Sequence, residues 1–472
     1  MMRGAAPLAL AVVLAAAGAR ADENSDLNLI PEAAQPGAAG TPAPPSAPTA
    51  GAGSGRLYLE DTANINVIRS PLLVPAPPPP PQDWEERLFF DAREQWKLGD
   101  GLSADYSGRL NLRASDRIDI PTHENIRHDF REGYFTWTPA DGLFLDAGRI
   151  NLKSGVAAGY NPTDFFKTHA VVEPISQDPA VLREDRLGTA MVRASYVGER
   201  ASVIAAFAPQ FEHESPVFSY ANLPSFDPTF GRTNAHPRLL LKGSFDFGAD
   251  IAPELLLYRE GANTRFGANL TRGIGQKIVA YAEWAGGEET SLVDQALGYG
   301  RATGTIPEAA PAVLPDSGRK SFRNDATIGF SYATELNVTF NFEYHYAGDA
   351  FTHADWRTWF TQGERLQAIP GVDPQLWYIR AYALDIGQPV SRQGAFLRFD
   401  WVDAFVPKLE LQGFINVDLF DGSQFAQLEA DYYLSNLWTV GAIAATDLGT
   451  RHSDFGSLPQ AASFLVKLAR YF

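Results

Sequence analysis

The chain of 472 residues has no cysteine and only three methionines. Without thiols there is no disulfide framework, no thiolate metal site and no cysteine nucleophile. Past the N-terminus no apolar run approaches 20 residues, which excludes a bundle of membrane helices. Positive charge is scarce: 39 Lys and Arg stand against 56 Asp and Glu, a formal net charge of −17. Nucleic acid, which needs a basic surface for its phosphates, is therefore not an expected partner. The usual enzyme motifs are missing: no His-Glu-x-x-His, no Gly-x-Ser-x-Gly and no phosphate-cradling glycine loop. The eight histidines are scattered, without metal-ligand spacing. The expectation is a protein with no catalytic role, cofactor or metal.

What is present begins with an address. Met1 to Ala21 has Arg3 as its positive start, a short apolar core over Ala5 to Ala17, and a small-x-small site at Ala19-Arg20-Ala21. This is the layout of a secretory leader cut before Asp22. Its removal takes Arg3 and Arg20 away and leaves the mature chain at −19. Residues 22–82 hold 13 of the 33 prolines, among them the run Pro77 to Pro81, and cannot bury a core. They read as a periplasmic linker, stiffened near Pro77. Within it Arg56 to Val74 has the β-branched and apolar residues of a strand or docking segment.

From Trp84 onward the period is two. Leu102, Ala104, Tyr106, Gly108, Leu110 and Leu112 alternate with Ser103, Asp105, Ser107, Arg109, Asn111 and Arg113. About 17 such segments follow one another, and none is long or helically periodic enough for a core helix. Their connections alternate in length. Short ones include 99–101, 138–142, 197–200, 247–250, 334–337 and 434–437; long ones are 151–185, 209–237, 285–322, 348–392 and 447–462. Alternating polar and apolar faces with short turns at one end and long loops at the other define a transmembrane antiparallel up-and-down β-barrel. If the last strand descends, the strand at 87–98 descends too, and an ascending strand must precede it. Placing that strand within 56–74 gives 18 strands, with 16 as the alternative; the barrel domain is otherwise 83–472. A barrel of this size has a lumen too wide for side chains to fill.

The polar strand faces supply the candidate pore-lining residues: Arg93, Arg109, Arg113, Arg193, Arg238 and Lys242 on the basic side, and Glu343, Asp400, Glu410, Asp418, Glu429 and Asp431 on the acidic side. The basic ones come mainly from the first half of the chain and the acidic ones from the last third. The expectation is two walls of opposite charge and a transverse field that selects polar or charged solutes; the alternative is local pairing that only keeps the interior wet. Arg109 is placed in the upper half of the membrane and Arg113 near the mouth. Outward Trp96, Tyr106, Tyr344, Tyr346, Trp401 and Tyr432 suit interfacial girdles. The connection 348–392 carries Trp356, Trp359, Trp377 and Tyr378, which is aromatic enough to narrow the lumen, cap the mouth or pack upon itself.

Two stretches resemble proteobacterial outer-membrane porin-like proteins. Gly148-Arg149 followed by Ser154-Gly155 and Asn161-Pro162-Thr163-Asp164 is similar to their strand end leading through Trp-Gly into Asn-Pro-x-Asp, with Ser154 in place of the Trp. The chain also ends on an alternating strand closed by Phe472, which resembles the signal read by the barrel-assembly machinery. Arg470 is the misfit in that strand and would snorkel at the membrane boundary. The turn residues Asn161, Pro162 and Asp164 should pin the loop to the wall, with Arg149 placed to bond it. The resemblance implies an outer-membrane location, lipid around the barrel, a channel for small hydrophilic solutes and a monomer or an oligomer. The alternative is a dedicated exporter of a polysaccharide or other polymer, like the alginate-export barrels.

Overall fold

Period-two alternation becomes eighteen strands: β1 (Gly55–Ile68), β2 (Trp84–Gly99), β3 (Leu102–Ser115), β4 (Arg127–Ala140), β5 (Leu143–Ile150), β6 (Thr189–Val197), β7 (Ala201–Ala208), β8 (Arg238–Phe245), β9 (Ile251–Glu260), β10 (Asn263–Ile274), β11 (Ile278–Glu289), β12 (Ser321–Ala333), β13 (Val338–Ala347), β14 (Gln393–Trp401), β15 (Leu409–Asp418), β16 (Gln424–Ser435), β17 (Trp438–Leu448) and β18 (Gln460–Tyr471). The structure is a computed structural model and describes residues 55–70, 72–74, 82–117, 125–172, 175–221, 226–248, 251–315, 317–366 and 373–472. The leader and most of the Pro-rich linker lie outside the described residues.

Each strand pairs antiparallel with its sequence neighbours, and β1 closes the ring between β18 and β2, with Tyr58 opposite both Tyr471 and Asp91. The barrel therefore has 18 strands and begins at Gly55, inside the segment first read as linker. Closure removes the unpaired sheet edge, which no hydrocarbon environment tolerates. The pleat sorts side chains by face. On β18 Phe464, Val466 and Leu468 are exposed to the outside while Leu465 and Ala469 are buried. Arg470 lies at the end of the outward row, its guanidinium over the rings of Trp438 and Phe472. Trp96, Tyr106, Tyr344 and Tyr432 also stand exposed on the outer surface.

At one end the strands join by short turns, for which Gly101 supplies a left-handed φ of 70°. Both Gly55 and Phe472 emerge at this end, Phe472 N–H donating to Leu57 O. At the other end run most of the long connections. Two depart from strict alternation, since β9–β10 and β15–β16 are joined there by short segments.

The long connections carry α1 (Pro179–Asp185), α2 (Phe230–Thr233), α3 (Leu292–Ala302), α4 (His353–Leu366) and α5 (Asp373–Asp385). No helix among the described residues is long and apolar enough to cross a membrane. Contrary to the sequence expectation, some of these helices do build a core. Leu292, Ala296 and Leu297 of α3 pack with Trp359 of α4, with Leu376 and Ile379 of α5, and with Val74. Val217, Phe420 and Leu458 from three further connections border the same cluster. Connections leaving the rim on opposite sides thus meet in one apolar core lying across the mouth, here called the cap. At its centre the Arg380 guanidinium sits 5.4–5.5 Å from the rings of Trp356, Trp359 and Trp377 and bonds Ser457 and Asp454. The aromatic connection therefore packs upon itself and its neighbours. Trp359→Ala should cost the cap about 3–5 kcal/mol. Protease sensitivity of the cap should rise, while the barrel keeps its heat-modifiable gel mobility.

Candidate functional site

The connection 151–188 does not join the cap; it turns into the barrel. Three apolar residues root it. Leu152, Phe165 and Phe166 pack against the inward-facing Met191, Leu240, Leu256 and Tyr258, with Phe165 stacked on Tyr258 at 4.6 Å. From this root the chain crosses to β10–β13. Its backbone N–H groups cannot stay unpaired once out of bulk water, and two wall carboxylates take them. Glu283 of β11 accepts from Val156 N, from Ala157 N at 2.5 Å and from Thr163 Oγ1 at 3.0 Å. Glu343 of β13 accepts from Ala158 N, from Gly159 N at 2.9 Å and from Tyr281 OH at 2.7 Å. Thr327 Oγ1 donates to Tyr160 O at 2.8 Å. The approach requires small residues: a Cβ on Gly155 (φ 90°) would lie 2.7 Å from the Glu283 carboxylate, and one on Gly159 2.6 Å from the Phe396 ring.

The second half returns across the lumen. Gln177 N donates to Gln427 Oε1 of β16 at 2.9 Å, and Gln427 Nε2 donates to Ser176 Oγ at 2.7 Å. Asp178 caps α1 by accepting from Ala180 N at 2.8 Å, with Pro179 at the first helical position. The same carboxylate accepts from Arg398 Nε of β14 at 2.9 Å. At the far end of α1, Asp185 meets three guanidiniums of β2, β3 and β4: Arg131 at 2.8 Å, Arg109 at 2.9 Å and Arg93 at 3.4 Å. Helix α1 is thus a crossbar, clipped by an aspartate at each end to arginines on distant parts of the ring. Burial works to raise the Asp185 pKa, but Arg109, Arg131 and Arg93 outweigh it and bring it down to about 2. The stabilisation from this contact is present above the ordinary carboxylate range and is lost only as pH falls toward 2. The crossbar should therefore stay latched as pH falls from about 5.5 to about 4, which single-channel conductance recorded across that range would check.

The polar groups of the turn 161–164 bond to the loop's own residues Arg186 and Lys167. Asp164 accepts from Arg186 Nη1 at 2.7 Å and Nη2 at 3.1 Å, and Arg186 also donates to Leu152 O at 2.8 Å. Burial raises the Asp164 pKa, and Arg186 and Arg183 more than offset it. Asn161 O accepts from Lys167 Nζ at 2.8 Å. Arg149 donates instead to Gly188 O at 2.8 Å and to Pro228 O, so its expected bond to the turn is corrected. Arg186 lies at the loop's return and reaches the turn from inside, whereas Arg149 ends its strand beside the next connection.

The expectation of two opposed charged walls is also corrected. Arg113 pairs with Glu85 at 2.6 Å, Arg193 with Asp146 at 2.7 Å, Arg238 with Glu260 at 2.7 Å and Lys242 with Glu254 at 3.1 Å. On the later strands Lys467 bonds Glu429 and Asp431 at 2.5 and 2.8 Å, Arg398 lies 3.4 Å from Asp400, Tyr433 OH donates to Glu410 at 2.6 Å, and Ser391 OH donates to Asp418. The basic candidates are thus paired with carboxylates on nearby strands, whereas Glu343, Glu410 and Asp418 accept from neutral donors, so among the described residues no free positive wall stands opposite them. Asp91, Arg131, Asp178, Asp185, Glu283 and Arg398 were not among the candidate pore-lining residues. Alternation marks four of them as inward polar residues, but their partners lie far away in the chain. Among the described residues no group of three or more His, Asp or Glu is placed to hold a metal ion.

The chain matches no protein-family model and no curated protein sequence. Among solved structures it is similar to Pseudomonas aeruginosa OccK5 (OpdH), at 9% identity over 89% of this chain and 98% of that one, with a TM-score of 0.49. It is also similar to a triple mutant of Rhodopseudomonas blastica porin, at 10% identity over 89% of this chain and 100% of that one, with a TM-score of 0.38.

Proposed function

We propose that the protein is an outer-membrane channel that passes small hydrophilic solutes through a lumen lined by paired charges and narrowed by the crossbar. One observation carries the reading: a closed 18-strand ring, apolar outside and polar inside, whose interior is traversed by a loop rather than filled by a core. Rings of this size enclose water unless something is inserted, and here the insertion is a single chain with one seven-residue helix. The leader, the outer apolar band and the aromatic C-terminal strand suit an outer-membrane barrel surrounded by lipid and inserted by the assembly machinery. The short-turn end, where β1 begins at Gly55, then faces the periplasm, whereas Val74, just before the proline run expected in a periplasmic linker, packs in the cap at the opposite end. A polymer conduit would need the crossbar to leave its clips at both Arg398 and the Arg93–Arg109–Arg131 group, so small solutes are the better fit.

Purified protein in planar bilayers should show discrete conductance steps. Bilayers that remain sealed around barrel shown to be folded would overturn the proposal.

A further inference from the structure

The cap joins the barrel at a point where acid outnumbers base. Gly348 N–H donates to Asp325 Oδ1 at 2.9 Å where β13 leaves the barrel. Arg265 of β10 is shared by two carboxylates, Asp325 of β12 at 2.5 Å and Glu289 of β11 at 3.3 Å. Asp349, the next residue into the cap, is a third carboxylate and only 4% exposed. Its Oδ2 accepts a neutral amide, Gln295 Nε2 of α3, at 3.0 Å, and its Oδ1 is buried with no hydrogen-bond partner. Its own carbonyl accepts Leu292 N at 2.9 Å, which ties α3 to the same spot. Three further cations face the junction without a hydrogen bond to Asp349: Arg323 donates to Gly348 O at 3.1 Å and is close enough to act on Glu289, Lys167 donates to Asn161 O at 2.8 Å and is close enough to act on Asp325, and Arg392 donates to Ala350 O at 3.4 Å. Tyr160 of the lumen loop, also close enough to feel Asp325 and Asp349, donates its hydroxyl to Gln388.

We infer that Asp349, Asp325 and Glu289 form a proton-operated latch between cap and barrel, docked while the cluster holds one proton and loosened when that proton leaves. Three buried carboxylates around one guanidinium cannot all be ionised without strong repulsion. The proton resides on Asp349, the carboxylate without a cationic hydrogen-bond donor. Burial first, then the Asp325 and Glu289 carboxylates, push Asp349 up to about 7. A raised carboxyl pKa makes docking strongest below the ordinary carboxylate range. That strength is lost as pH rises toward the folded value, so the cap loosens through neutrality.

The test is hydrogen exchange of the full-length protein in detergent, which needs no channel activity. It would be corrected for the chemical pH dependence of exchange. Amides of α3, α4 and α5 should exchange about tenfold faster at pH 8.5 than at pH 5.5, with the barrel strands unchanged. Asp349→Asn should abolish this response and hold the cap in its protected state at both pH values. Glu289→Gln should keep the response and move its midpoint to lower pH. A flat wild-type profile, a response that survives Asp349→Asn, or an unmoved midpoint in Glu289→Gln would overturn the latch.

Discussion

Asp185→Ala is expected to raise conductance and turn the channel toward anions. Asp185 is the carboxylate on which Arg93, Arg109 and Arg131 converge, and when it is gone Asp91 is the one carboxylate among the described residues still in direct contact with Arg109 and Arg131. The substitution uncovers positive charge in a narrow lumen and frees one end of α1. The anion-to-cation permeability ratio should rise several-fold in about 0.1 M salt. The gain should shrink near 1 M, where the Debye length falls from about 10 to about 3 Å. Arg398→Ala separates the two causes. It frees the other end of α1 but removes a positive charge and leaves Asp178 uncovered. Conductance should again rise, with selectivity moving toward cations. Reversal potentials in a salt gradient read both effects. Opposite conductance changes in the two variants would mean that α1 is not the obstacle to flow.

Arg109→Glu is expected to damage the fold rather than tune selectivity. From the sequence, Arg109 is a pore-lining candidate in the upper half of the membrane, with Arg113 near the mouth. In the structure it is buried, bonded to Asp91 and Asp185, close to Tyr58 OH at 3.1 Å, and stacked over Phe89. A carboxylate there would face two others, with Arg131 left to Asp91 and only Arg131 and the longer contact of Arg93 left to Asp185 among the described residues. Breaking one partner of a buried ion pair costs about 3–5 kcal/mol, and like-charge repulsion adds to it. The heat-modifiable transition of Arg109→Glu should therefore fall well below that of Arg113→Glu, since Arg87 stays beside Glu85 when Arg113 is replaced. Unchanged melting together with a shift in ion selectivity would show that Arg109 faces open water.

These two results bear on the same feature, a lumen in which part of the wall charge holds a loop in place. The proton-operated cap would act above it on a different group. Three arginines hold the Asp185 carboxyl well below the ordinary carboxylate range, whereas burial and the neighbouring carboxylates push Asp349 up. Any pH dependence of permeation in the neutral range should therefore follow the cap, and Asp349→Asn should remove it.

The barrel was legible in the chain because its determinants are local. Alternation on β3, β13, β15 and β16 depends only on neighbouring residues, so the polar row alone sets Arg109, Glu343, Glu410 and Glu429 apart from the outward apolar row, and all four are buried. Turn chemistry placed 99–101, and strand direction demanded the ascending strand that became β1. What each inward residue touches was decided by tertiary structure. Arg109 meets Asp185 across 76 positions and Arg398 meets Asp178 across 220, contacts set by the path of one loop through the lumen and by nothing nearby in the chain. Helix α3 stayed hidden because its apolar face finds its partners in α5 and Val74, residues of other connections. Arg149 was matched to the wrong partner for the same reason. A pleat announces its two faces from within one strand, but a charge in a closed barrel takes its partner from whatever the ring and its inserted loop bring opposite.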